Sequence, residues 1–259
     1  MSTLPHPYPS CEPREAFVGD AREASALDGG SYETRRGELE NYFDRTAVEA
    51  WSRLTSTAPV GRIRATVRAG RDEMRETLLS WLPPDLRGLR LLDAGCGTAA
   101  FAVEAARRGA DVVAVDLSPK LVELGRDRMT RVGDGRVELR VGDMLDPGLG
   151  TFDHVVAMDS MIHYAADDLV RMLSGLASRT GASLLFTFAP RTPGLALMHS
   201  VGRLFPRSDR APAIEPLAES ALRSRLETEP ALAGWRPARS ERIARGFYIS
   251  HAMELEPNR

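Results

Sequence analysis

The sequence predicts an α/β fold built on a mostly parallel sheet, and three observations predict it. From residue 89 onwards, short apolar runs alternate with segments of helical period. A glycine-rich loop follows the first apolar run directly. An aspartate stands in or just beyond the end of each of the first four runs. Such alternation demands parallel strands with helices on both faces of the sheet.

The elements follow in order. Residues 1–37 hold Pro5, Pro7, Pro9 and Pro13, then Gly29-Gly30, with few apolar anchors. They are expected to form a disordered or loosely attached tail. Residues 38–84 are expected to form an N-terminal helical cap. Leu39, Tyr42, Phe43, Trp51 and Leu54 suit one or two short helices. Val60, Ile63, Val67, Met74, Leu78 and Trp81 recur mostly three, four or seven apart, so one helix face is apolar until Pro83-Pro84 stops it. Residues 85–259 form the main domain. Its strands are expected at 89–94, 111–116, 136–141, 152–158 and 182–189. Its helices are expected at 98–108 (stopped by Gly109), from Ser118-Pro119 to about 132, and at 169–178. Serine there is a cap, and proline suits the first turn. After Pro190 the rhythm breaks: residues 191–230 carry Pro193, Pro206, Pro212 and Pro216 around short helical stretches, too long for a plain connector, and read as a lid insertion. Residues 235–243 and 247–254 then form two strands about a turn at Gly246, the last of them antiparallel.

Composition narrows the function. The 259 residues, 43% hydrophobic and 27% charged, suit a globular chain with one sizeable core. A formal net charge of −2 argues against nucleic acid, whose phosphates attract clustered cations. The two cysteines, Cys11 and Cys96, stand in the proline-rich tail and the glycine loop, so no disulfide is expected, which points to a reducing, cytoplasmic setting. No apolar run is long enough to span a bilayer, and peripheral membrane contact stays open. His6, His154, His199 and His251 show no metal-ligand spacing, so no protein-bound metal is expected.

The strongest signal is Leu91-Leu92-Asp93-Ala94-Gly95-Cys96-Gly97-Thr98, placed where a buried strand gives way to a helix. Glycines there allow a tight turn and close approach of backbone to a ligand. The loop also satisfies the dinucleotide pattern through Gly95, Gly97 and Ala100, with Asp116 about 20 residues on. Asp93 separates the two readings. A carboxylate beside a pyrophosphate would repel it, whereas S-adenosylmethionine carries a sulfonium and an ammonium and no phosphate. Asp116, with Leu117 and Ser118 behind it, is placed to accept the ribose hydroxyls. Gly142-Asp143-Met144 follows the third strand, where the aspartate can accept the adenine amino group and the methionine can cover the ring. Met158-Asp159 ends the fourth strand, where donor and acceptor would meet. This ordered set resembles the class I methyltransferases and their Rossmann-like sheet.

A narrower resemblance runs from about residue 38 to 254. Tyr42-Phe43-Asp44 followed by Trp51, the helix through Arg68-Ala69-Gly70, the glycine loop, Asp159-Ser160-Met161-Ile162-His163-Tyr164, Phe186 to Pro190, and Gly246 to Ser250 resemble the magnesium-protoporphyrin IX methyltransferases. The resemblance implies transfer of a methyl group from S-adenosylmethionine to one propionate of magnesium-protoporphyrin IX in (bacterio)chlorophyll synthesis, with the only magnesium held by the substrate. It implies that His163 and Tyr42 are catalytic or orienting groups. Arg68, Tyr164, Arg203 and Arg207 become candidates for the porphyrin, Arg68 equally for the donor carboxylate, and the last two come from the insertion that also carries Leu195, Leu197, Met198, Val201, Leu204 and Phe205. It also implies the large subunit of magnesium chelatase as a partner. Two readings stay open beside it: a class I methyltransferase for another small acid, amine or phenol, and a porphyrin carrier without catalysis.

Overall fold

The computed structural model describes residues 29–46, 61–129, 135–191 and 213–258. Helix α1 (Gly29–Asn41) runs into one π-turn at Tyr42–Thr46, and α2 (Arg62–Trp81) follows. The sheet domain then reads β1 (Arg90–Ala94), α3 (Ala100–Arg107), β2 (Asp111–Asp116), α4 (Pro119–Arg128), β3 (Arg136–Val141), β4 (Phe152–Ala157), α5 (Ala166–Ala177), β5 (Thr180–Phe188), α6 (Glu219–Thr228), β6 (Trp235–Arg245) and β7 (Tyr248–Pro257). The seven strands lie in the order β3-β2-β1-β4-β5-β7-β6. Strands β1 to β5 pair in parallel, and β7 pairs antiparallel with both β5 and β6. This is the predicted α/β sheet with its antiparallel last strand.

The strands alternate as a two-sided sheet requires. Leu91, Val112, Ala114, Val156, Leu185 and Ala252 face one core with Met74 and Leu78 of α2, Phe101 of α3 and Val122 of α4. Leu92, Val113, Val115, Val155, Leu184 and Phe186 face a second core with Leu39 of α1, Leu169 and Leu173 of α5, and Leu222 and Leu226 of α6. Local chemistry sets the helix ends. Ser118 accepts a hydrogen bond from the Leu121 N–H at 3.3 Å, with Pro119 in the first turn. Leu82 is extended where Pro83-Pro84 forbids another turn.

Three expectations need correction. Residues 29–37, read as tail, are helical, because Tyr32, Leu39 and Phe43 pack that segment on the core. Proline-rich composition ends before Gly29, and residues 1–28 lie outside the described residues. The last part of the expected lid is α6, anchored to the core through Leu222 and Leu226, which it buries almost completely, each contributing about 1.5–3 kcal/mol. The first half, with Arg203, Arg207 and the apolar stripe from Leu195 to Phe205, lies outside the described residues, as do Trp51 and Leu54. The helix expected to reach about 132 ends at Arg128, because the chain turns extended at Met129.

Helix α2 reaches the hairpin through Gly70, where an added Cβ would fall 2.4 to 2.8 Å from three carbons of the Tyr248 side chain. Gly37 in α1 has nothing within 4 Å of such a Cβ. Gly70→Ala should therefore lower stability by roughly 1–3 kcal/mol despite its better helix propensity. Gly37→Ala should be neutral or stabilising by under about 1 kcal/mol. Urea unfolding of the two variants checks the contrast.

Candidate active site

The carboxyl ends of β1 to β4 open into a cleft with about 1010 Å³ of atom-free space, part of it continuous with solvent. Ligands bind at this edge of an open α/β sheet, where strand order reverses. Here β1 lies between β2 and β4, so the helices after β1 and after β4 depart to opposite faces. The glycine loop forms the floor. Gly95 and Cys96 donate from their backbone N–H groups to the Val115 carbonyl at 2.8 and 3.0 Å. Gly95 has φ +78°, and a Cβ there would meet that of Ser160 at 2.2 Å. The Ser160 hydroxyl donates to the Ala94 carbonyl at 2.7 Å, closing the floor between β1 and β4.

Four aspartates are stationed along the edge with different partners. Asp116 accepts the Ser118 N–H on Oδ1 at 2.9 Å and the Gly97 N–H on Oδ2 at 2.8 Å. Each oxygen keeps acceptor capacity, as two ribose hydroxyls require. Burial raises its pKa while these backbone donors oppose the rise. Asp143 accepts the Tyr32 hydroxyl at 2.7 Å and the Leu145 N–H at 2.8 Å on Oδ1, and Arg36 at 2.8 Å on Oδ2. The carboxylate expected to read adenine thus also anchors α1. Asp93 is buried with Oδ2 on the Ala102 N–H at 3.1 Å, so it also serves the start of α3. Burial pushes its carboxyl up to about 7, against the lowering effect of that N–H. Asp159 ion-pairs with Arg71 at 2.7 Å and accepts from Tyr248, Ser250 and Thr187; none of its described partners is His163.

The remaining expected residues divide between lining and support. Gly95, Cys96, Gly97, Leu117, Gly142, Met144, Met158, His163 and Tyr164 all line the cleft. Burial, with Asp93 and Asp116 nearby, holds the Cys96 thiol well above its ordinary pKa, so it is a weak nucleophile. Ser118 is buried as the α4 cap and contributes no wall. His163 is nearly buried, with Nδ1 3.2 Å from the Ala213 carbonyl and its ring 6.0 Å from that of Phe43. A carbonyl can only accept, so Nδ1 carries the proton and Nε2 is the other ring position. Tyr164 is buried and stacks on Tyr32 at 5.4 Å. Tyr42 is half-buried, edge-on to Phe43 at 5.2 Å; it is Phe43 that lines the cleft. Arg68 is not in the wall. Its place is taken by Arg71 and Arg75, one and two turns further along α2. Tyr32 and these two arginines were missed. The arginines share the stripe begun by Arg68, a readable signal, whereas Tyr32 stood in a segment read as tail.

Among the described residues no group of three His, Cys, Asp or Glu side chains could hold a metal ion. The cleft wall combines buried carboxylates, the methionines Met144 and Met158, and the histidine His163. Such a set can accept hydroxyl and amino donors and cover a flat ring.

Comparison with known proteins adds the family. Residues 157–257 match the family model described as magnesium-protoporphyrin IX methyltransferase C-terminus, and residues 91–180 match a general methyltransferase domain. The chain is 49% identical over 227 residues to a magnesium-protoporphyrin O-methyltransferase of Rhodobacter capsulatus, covering 87% of this chain and 98% of that one. It is 29% identical to the chloroplastic magnesium protoporphyrin IX methyltransferase of Arabidopsis thaliana, covering 91% and 74%. Its structure resembles the crystal structure of magnesium protoporphyrin IX methyltransferase from Synechocystis PCC 6803 with bound S-adenosylhomocysteine, with TM-score 0.75, 27% identity, and coverage of 86% of this chain and 100% of that one.

Asp93 gives the site a stability signature. Its folded pKa of about 7 lies above the unfolded value of 3.8, so the folded state holds the proton more tightly. The contribution is most favourable at low pH and declines as pH rises from about 4 to 7. Asp93→Asn keeps an acceptor for Ala102 and removes the titration. The stability difference between variant and wild type, measured by urea unfolding, should shift in the variant's favour across that window and level off above it.

Proposed function

The chain belongs to the magnesium-protoporphyrin IX methyltransferase family, and from that membership we propose that it transfers a methyl group from S-adenosylmethionine to a propionate of magnesium-protoporphyrin IX. The product is the monomethyl ester, an intermediate class fitting (bacterio)chlorophyll synthesis. The observation that carries the proposal is His163 in the wall of a cleft that also presents Asp116, Asp143, Met144 and the glycine loop.

A propionate is ionised at neutral pH, with an ordinary pKa of about 4.3 by analogy with glutamate. It needs no base. The site must bring carboxylate oxygen, methyl carbon and sulfur into line, an alignment worth roughly 7–11 kcal/mol. An anion and a sulfonium cancel as the bond forms, so fixed dipoles that replace their water favour the step. His163 is the group proposed to hold the propionate. With Nδ1–H given to Ala213, the neutral ring would turn a lone pair at Nε2 towards the anion. The imidazolium turns an N–H instead, and the arriving carboxylate favours that charged form.

Tyr42 is proposed as a second orienting group. The resemblance supports a hydroxyl role, and the rings of Tyr42, Phe43 and His163 form a consecutive edge-on series. Tyr164 is proposed for the porphyrin face, and Arg203 and Arg207 for its propionates; these three rest on the sequence. No described helix is long and apolar enough to cross a membrane. Peripheral contact with a membrane is supported by the exposed apolar side chains of Ile63 and Phe247, 57% and 56% exposed, each within three residues of the place where Gly246 lies against Thr66 of α2. Delivery by the large chelatase subunit rests on the family resemblance alone.

Incubation with S-adenosylmethionine and magnesium-protoporphyrin IX, followed by chromatography with mass detection, should show one added methyl. His163→Ala should lower kcat by about 10²-fold while donor affinity stays unchanged. The pH profile discriminates further. Imidazolium as anion holder predicts that kcat/KM falls as pH rises through the histidine titration and that the fall disappears in His163→Gln. An amine or phenol acceptor using His163 as base requires the opposite slope, and seeing that slope would sink the ester assignment.

A further inference from the structure

We propose that residues 213–217 form a backbone strap that positions His163, with the Ala213 carbonyl fixing the proton of the neutral imidazole on Nδ1 so that Nε2 is the atom turned to the acceptor. The proposal rests on the reading of His163 as the group that holds the propionate, and adds what holds His163 itself.

His163 stands in a tight turn between β4 and α5. The Tyr164 N–H donates to the Met161 carbonyl at 3.2 Å, which makes Ile162 and His163 the central pair of the turn. Met161 and Tyr164 are 1% and 2% exposed, so both ends of the turn are sunk in the core. Its centre is held from another segment. The Glu215 N–H donates to the Ile162 carbonyl at 2.9 Å, and the Ala213 carbonyl lies 3.2 Å from His163 Nδ1. Further along, the Leu217 N–H donates to the Ala189 carbonyl at 2.8 Å, and the Leu217 carbonyl accepts from the Arg191 N–H at 2.8 Å. These two bonds make a parallel bridge just beyond β5.

Residues 213, 215 and 217 thus offer their backbone groups at every second position, as an extended chain does. Pro216 suits this arrangement. It falls at a position that donates nothing, and its ring disfavours a helical conformation at Glu215. Leu217 is partly buried against the core and seats the far end of the strap. The rigidity of the sheet is carried in this way to a side chain in the cleft wall. None of these bonds uses a side chain of the strap, so no motif in the sequence announces them.

The kind of acceptor decides the tautomer. A carbonyl takes a hydrogen bond and gives none, so Nδ1 bears a proton in the neutral ring and in the imidazolium alike. Gain and loss of charge then occur at Nε2, and neither requires the ring to turn. The bond to the propionate also falls to Nε2, because Nδ1 is committed to the strap. A ring without the strap could flip and present either nitrogen, in either tautomer. The step depends on alignment, and a displacement of about 1 Å can cost about 10²-fold in rate.

The first test reads the tautomer directly, by nitrogen-15 NMR of protein labelled at its five histidines, with His163→Gln identifying the resonances of His163. Above the histidine titration, the neutral ring should carry its proton on Nδ1. A proton on Nε2, or a near-equal mixture of the two forms, would overturn the proposal on the unaltered chain. The second test separates backbone from side chain at residue 215. Glu215→Ala keeps the N–H that reaches Ile162, and Glu215→Pro removes it. The proline variant should have a kcat about 2–10-fold below that of the alanine variant, the range for one lost hydrogen bond. Its His163 resonances should also move towards the mixture. Calorimetric binding of S-adenosylhomocysteine within about twofold of wild type shows that both variants are folded. Equal kcat and an equal tautomer in the two variants would overturn the strap. If the proton is on Nδ1 but wild-type protein forms no ester with magnesium-protoporphyrin IX, the propionate reading falls and the strap stands, so the two failures are told apart.

Discussion

The reversal of strand order at β1 is the constraint on which the rest depends. With β2 on one side and β4 on the other, the chain leaving β1 and the chain leaving β4 must depart to opposite faces of the sheet. Their departure leaves a gap at the carboxyl edge that no backbone of the sheet fills. The glycine loop lies at its floor because only a residue without Cβ fits beside Ser160. The aspartates after successive strands then become successive stations along one groove, although they are far apart in sequence.

Those stations are built at some cost to the folded state. Asp93 and Asp116 are both buried, and burial raises the pKa of each. Both would be relieved by hydroxyl donors or positive charge, such as the sulfonium and ammonium of the proposed donor. Asp143 is steadied by Tyr32 and Arg36, so the N-terminal helix is attached to the donor site by the carboxylate proposed to recognise adenine. Asp159 is the opposite case. Its charge is spent within the protein, on four side chains from three other elements, and it shapes the site through them.

Much of this was legible in the sequence. The strands at 111–116 and 136–141, the Ser118 cap, the glycine loop and its flanking carboxylates all follow from local periodicity and turn chemistry, which act within a few residues. The failures have one physical origin: contacts distant in sequence. Residues 29–37 look weakly apolar, and their order comes from Tyr32 stacking on Tyr164 and bonding to Asp143, more than a hundred residues away. The helix at Glu219–Thr228 looks like part of an insertion until Leu222 and Leu226 are seen to enter the main core. Asp159 reads as a ligand contact because nothing local announces Tyr248, Ser250 and Arg71 as its partners.

The central claim is that one groove lays the donor across four strand ends and turns its sulfur towards the His163 wall. A crystal structure of this protein with S-adenosylhomocysteine tests it most directly. The account predicts adenine beside Met144 and Asp143, ribose hydroxyls on Asp116, the thioether over the glycine loop, and the sulfur open to the side on which His163 stands. A ligand lying with its adenine at the β4 end, or with its sulfur closed off from His163 by α1, would contradict it.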